Sequence, residues 1–106
     1  MSKKDLLESL SLIKRNNQSD YETISNTELI IYNLPDSVLE NSIITLNDDK
    51  TLTLNIKSGH IYIVHNYYRL ILTIGQYTFE KKGYVEDLEM LINHIRTFLG
   101  PVNDTN

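Results

Sequence analysis

The sequence predicts an α+β domain, a four-stranded antiparallel meander with two N-terminal helices and one C-terminal helix. Three observations carry this. Apolar residues recur at three- and four-residue spacing near the start of the chain, the period falls to two after Ser42, and helical spacing returns after Gly83.

In the first element Ser2 can cap a helix, and Leu6, Leu7, Leu10 and Ile13 mark one face until "RNNQSD" stops the pattern. Next, Ser25 and Glu28 form an S-x-x-E capping box ahead of Leu29, Ile30, Ile31 and Leu34, with Pro35 closing the segment. A helix over about residues 25–34 follows; the competing assignment is a strand, because "TELIIY" is rich in β-branched and aromatic residues.

The segment "TLTLNIK" places Leu52, Leu54 and Ile56 on one face and Thr51, Thr53, Asn55 and Lys57 on the other, a half-buried antiparallel strand. "NDD" before it and "SG" after it supply hairpin turns. "HIYIVHNYY" and "RLILTIGQYTFE" complete the meander, joined near Tyr68 and Arg69. In the last element Leu88, Leu91, Ile92, Ile95, Phe98 and Leu99 form a helical stripe, with Glu86, Asp87 and Glu89 at the end where the macrodipole favours acids. Gly100-Pro101 is a stop signal, so residues 1–100 are expected to form one domain and 101–106 a flexible tail.

At 106 residues the chain can bury roughly two thirds of its unfolded surface, enough for one core. The absence of cysteine removes disulfides, zinc–thiolate sites and a cysteine nucleophile, and fits a cytoplasmic setting. The first residues do not read as a signal peptide, and no stretch approaches the ~20 apolar residues of a membrane span. The formal charge of −4 and pI of about 5.2 argue against direct nucleic-acid binding, whose affinity comes from Lys and Arg.

Catalytic signals are weak. His60 and His65 would point to opposite faces of one strand, His94 lies on the last helix, and no metal-ligand spacing such as H-x-x-x-H occurs. There is no G-x-S-x-G elbow or P-loop, and Gly59, Gly75, Gly83 and Gly100 read as isolated turn residues. Asp48-Asp49 falls in a turn that should be solvated. No enzyme, metal or cofactor is expected. Tyr62, Tyr67, Tyr68 and Tyr77 could stack on bases, but without surrounding cations they suit cross-strand packing or a protein interface better.

The most unusual feature is residues 20–49, which hold Asp20, Glu22, Glu28, Asp36, Glu40, Asp48 and Asp49 without a single Lys or Arg. All are ionised at neutral pH and project a one-signed field. Apolar residues alternate with them, so a partner would meet charge around an apolar centre, a complement to a basic, aromatic-lined groove built for DNA.

The run "HIYIVHNYYRLILTIGQY", with I-Y, four residues, Y-Y and an apolar strand ending in I-G before an amphipathic helix, resembles the staphylococcal-type uracil-DNA glycosylase inhibitor family. "ETI" at 22–24 and "LPD" at 34–36 resemble that family's E-S-I and L-P-D elements. The likeness spans roughly residues 3–99 and is strongest at 61–75; Thr23 replaces the family serine, the spacing from Glu22 to Pro35 is slightly longer, and one residue is missing after Tyr68.

The resemblance implies a DNA mimic that occupies the glycosylase's DNA groove as a monomer in a 1:1 complex. Glu22, Thr23 and Ile24 would meet the enzyme's phosphate-gripping loops, and Glu28, Asp36 and Glu40 would serve as further phosphate surrogates. A pocket between the second helix and the sheet, lined by Ile30, Leu34, Leu52, Leu54, Ile61 and Ile63, would enclose an intercalating apolar side chain of the enzyme; ordinary core packing is the competing role for each of the six. Two other functions compete: an immunity or antitoxin-type protein covering a different basic nucleic-acid enzyme, and a phage or mobile-element structural protein that self-associates through strand edges and tyrosines.

Overall fold

The computed structural model describes residues 3–99, without the side chains of Phe98 and Leu99, so the Ser2 cap, the Gly100-Pro101 stop and the tail lie outside the described residues. Helix α1 (Lys3–Arg15) buries Leu6, Leu10 and Ile13, the stripe its spacing dictates. Helix α2 (Tyr21–Asn33) begins four residues earlier than the capping box predicts. The reason is Asp20, whose carboxylate accepts from the Thr23 N–H at 2.9 Å and from the Thr23 hydroxyl at 2.6 Å. Ser25 is therefore an exposed residue of the helix body rather than its cap. The strand alternative for this segment fails. Leu34 ends the helix in an extended conformation ahead of Pro35, and a four-residue helix α3 (Asp36–Leu39) follows.

The sheet has five strands rather than four: β1 (Ile43–Leu46), β2 (Leu52–Ile56), β3 (Gly59–Val64), β4 (Tyr67–Ile74) and β5 (Tyr77–Tyr84), an antiparallel meander in that spatial order. One turn shifts a predicted junction and a second adds the extra strand. His65 adopts φ +53° and reverses the chain before Tyr67, three residues ahead of the predicted junction at Tyr68 and Arg69. Gly75, at φ +60°, turns the chain again and frees Tyr77–Tyr84 to form the fifth strand. The register pairs Ile63 with Tyr68, and Tyr68 with Gly83.

All the buried strand positions share one face of the sheet. Leu52, Leu54 and Ile56 on β2 face the core as their alternation predicts, joined by Ile61 and Ile63 on β3 and by Tyr68, Leu70 and Leu72 on β4. Helices α1 and α2 cover β1–β3, and the 3₁₀ turn Val85–Asp87 leads into helix α4 (Leu88–Leu99), where His94 stacks near Phe79 of β5. Leu91 and Ile95 are fully buried. The other face of the sheet carries Tyr62, Val64, Tyr67, Arg69 and Ile71, all at least partly accessible.

Two of the glycines assigned to turns are strand residues instead. A Cβ on Gly83 would stand 2.7 Å from the Tyr68 hydroxyl, so its missing side chain makes room for the fully buried Tyr68 ring. Desolvation, then the nearby Asp87 charge, raises the pKa of that hydroxyl. A Cβ on Gly59 would overlap the carbonyl oxygen of Ile71 on the paired strand β4. Because the obstacle is backbone, Gly59→Ala should lose about 1–3 kcal/mol of stability, read as a lower urea midpoint with an unchanged m-value.

Candidate functional site

The meander places the β1–β2 turn, the β3–β4 turn and the end of β5 at one end of the molecule. Helix α2 starts at that same end. The Thr23 hydroxyl accepts the His65 N–H at 2.9 Å, the Asn26 side-chain amide donates to the His65 carbonyl at 2.8 Å, and the Ser19 hydroxyl donates to the Lys50 carbonyl at 2.5 Å. Three bonds to backbone groups far along the chain thus tie the start of α2 to both hairpins.

This attachment buries Thr23, Ile24, Thr27, Ile30 and Ile31 and turns the opposite arc of α2 outward. At about 100° per residue, Tyr21, Ser25, Leu29 and Tyr32 occupy the middle of that arc, with Glu22 on one border and Glu28 on the other. Tyr21 is 70% exposed, Tyr32 58% and Leu29 44%. Carboxylates therefore flank an aromatic and aliphatic strip. Beside the strip a recess of about 490 Å³ opens, lined by Tyr21, Glu22, Ser25, Asn26, Leu29, Asn66, Val85 and Glu86.

Six of the seven carboxylates of the acidic stretch divide between two ends. Asp20, Glu22, Asp48 and Asp49 stand with the α2 start and the β1–β2 turn; Asp36 and Glu40 stand at the far end, where the Val38 carbonyl accepts from the Lys57 N–H. Glu28 lies along α2 between them. Helix α1 supplies cations that this stretch lacks: Lys3 reaches Asp36 at 3.8 Å, and the Lys14 ammonium lies 5.3 Å from the centre of the Tyr21 ring. Among the described residues, Glu22, Glu28, Glu40 and Asp48 have no Lys or Arg within ion-pair distance.

The sequence-predicted site residues separate accordingly. Glu22, Glu28, Asp36 and Glu40 are exposed. Thr23 and Ile24 are 0% and 4% exposed and serve the interior, so of the "ETI" element only Glu22 can touch a partner. Ile30, Leu34, Leu52, Leu54, Ile61 and Ile63 are at most 1% exposed. They form the sealed core beneath α2, and the open recess lies instead at the border of α2, walled by Tyr21, Leu29 and Val85. Sequence reasoning missed those three, together with Asp20, Asn66 and Glu86. Tyr21, Leu29 and Tyr32 did carry a signal: they fall off the apolar stripe of their own helix.

His65, in the β3–β4 turn rather than on a strand, is exposed and sits among acids. Its Nδ1 lies 3.3 Å from Asp20 Oδ2 and 3.6 Å from Glu22 Oε1. Partial desolvation pushes the Asp20 pKa up, but the hydroxyl and N–H bonds from Thr23 and the His65 contacts outweigh it, and the net shift is downward. Asp49 is likewise lowered, through bonds from the Thr51 hydroxyl and N–H at 2.5 and 3.1 Å. Comparison of the chain with protein-family models, with curated proteins and with solved structures finds no match.

Because the folded-state pKa of Asp20 is depressed, its stabilising contribution is present above the unfolded value near 3.9 and is lost as pH falls through the folded value. Asp20→Ala should cost about 0.5–2 kcal/mol at neutral pH by removing the cap. Asp20→Asn keeps a capping oxygen and should lose less, with a shallower decline in stability below pH ~4. Chemical denaturation from pH 3 to 7 checks both.

Proposed function

We propose that this protein inhibits a uracil-DNA glycosylase by DNA mimicry, with the outward arc of α2 and its adjoining recess as the contact surface. The observation that supports this reading best is the arrangement of Glu22 and Glu28 on either side of exposed Tyr21, Leu29 and Tyr32, next to a recess bordered by Glu22 and Glu86. A groove that binds DNA offers cations for phosphates and apolar or aromatic groups for bases. The α2 surface complements both, and the residue resemblance at 61–75 is what favours a uracil-DNA glycosylase as the partner.

Scale agrees with this. Thirteen residues of helix extend about 20 Å, roughly six phosphate steps at about 3.4 Å per strand. In this scheme Asp20, Glu22 and Asp48 mark one end of the mimicked backbone, Glu28 the middle and Glu40 the far end. Asp36, paired with Lys3, contributes less charge to a partner.

The two kinds of contact divide the work. An exposed carboxylate facing an Arg across a wet interface contributes about 0–1 kcal/mol, whereas an apolar anchor excluded from water contributes about 2 kcal/mol or more. The recess therefore governs residence time, and the outlying acids govern encounter rate.

Stoichiometric addition of the protein to a uracil-excision assay should abolish excision, and unchanged excision would end this assignment. A parallel pull-down against a panel of basic nucleases distinguishes an immunity-type protein, which would present the same acidic surface to another enzyme. In the complex, Glu22→Ala and Leu29→Ser should each raise the dissociation rate on the order of tenfold, about 1.4 kcal/mol, measured by surface plasmon resonance. Asp48→Ala should instead reduce the salt dependence of the association rate and leave dissociation nearly unchanged.

A further inference from the structure

His65 lies 43 positions beyond Glu22 and 45 beyond Asp20, yet a ligand atom from each of the three lies within 4.8 Å of the others. We propose that they form a binding site for a divalent transition-metal ion, with Zn²⁺ the best fit and at least one coordination position left for water. The site shares Asp20 and Glu22 with the surface assigned above to the enzyme, but it rests on the three ligands alone.

Geometry supports it first. Zinc bonds to imidazole nitrogen and carboxylate oxygen are about 2.0–2.2 Å long, so two ligand atoms on a tetrahedral ion stand about 3.3–3.5 Å apart. His65 Nδ1 stands 3.3 Å from Asp20 Oδ2 and 3.6 Å from Glu22 Oε1. Charge-assisted N–H···O bonds are tighter, about 2.7–2.9 Å. The spacing thus matches two edges of a tetrahedron better than it matches a close hydrogen bond.

Donor chemistry comes second. Oxygen ligands alone would suit Mg²⁺ or Ca²⁺, whereas one imidazole with two carboxylates suits a first-row transition ion. The start of a helix carries roughly half a positive charge, which opposes a cation, but two carboxylates exceed it severalfold.

Orientation comes third. Thr23 bonds both oxygens of Asp20, at 2.6 and 2.9 Å, and accepts the His65 N–H, while Asn26 bonds the His65 carbonyl. Outer-shell contacts of this kind hold ligands at metal centres. Glu22 and Asn66, the neighbour of His65, also line the recess, which leaves space beside the ion for water.

Isothermal titration of the full chain with ZnCl₂ tests the site. Saturation at one ion per chain is expected, with no saturable heat from MgCl₂. His65→Gln and Glu22→Gln should each weaken binding at least about tenfold, while His60→Gln, on strand β3, should leave it unchanged. Amide chemical-shift changes should centre on residues 20–24 and 64–67, and thermal melts establish that each variant is folded. The proposal is overturned by an absence of saturable binding, by wild-type affinity in folded His65→Gln, or by an equal loss in His60→Gln. These measurements use the isolated chain, so their failure is distinct from a failure to inhibit excision.

Discussion

A single threonine sets the geometry on which the surface depends. The Thr23 hydroxyl donates to the Asp20 carboxylate and accepts the backbone N–H of His65, and the Thr23 carbonyl in turn accepts from the Thr27 hydroxyl. The residue is fully buried, so losing its oxygen would strand the His65 N–H at a cost of about 1–3 kcal/mol. The hydroxyl that bonds the Asp20 cap of α2 thereby also holds the β3–β4 turn, where His65 occupies the left-handed region. Rotation of α2 about its axis is fixed by this contact together with the burial of Ile24, Ile30 and Ile31. Which carboxylates reach solvent follows from that rotation.

The acidic surface is less bare than its composition implies. Helix α1 packs on α2 and brings Lys3 to Asp36 and Lys14 to the Tyr21 ring. Both are exposed or partly exposed contacts, each worth about 0–1 kcal/mol, so they trim the field more than they stabilise the fold. What remains are exposed carboxylates at the α2 start and along its two borders. Field strength at a protein surface depends on such local imbalance rather than on the net charge of −4 alone.

The recess follows from hydrophobic economy. Each large aliphatic side chain removed from water contributes about 1.5–3 kcal/mol, and the six residues Ile30, Leu34, Leu52, Leu54, Ile61 and Ile63 are too well placed beneath α2 to remain open. A cavity among them would forfeit that packing. Hollows form instead where elements meet at their ends: there α2, the β3–β4 turn and the 3₁₀ turn converge without interdigitating, leaving Tyr21, Leu29 and Val85 around open space.

Much of the architecture was legible in the chain. Helical spacing marked α1 and α4, the alternation of Leu52, Leu54 and Ile56 marked β2 and its buried face, and Pro35 marked the end of α2. These are local properties, because the periods of helix and strand are built into the backbone and a few adjacent residues reveal them. The fifth strand was harder to see, since the turn that separates it from β4 rests on one glycine among four. The meeting of Asp20 and Glu22 with His65, the reach of Lys3 and Lys14, and the division between sealed core and open recess belong to the tertiary structure alone. Periodicity tells each residue which side of its own element it occupies. Only packing decides how that element is rotated against its neighbours, and hence which distant charges share one patch of surface.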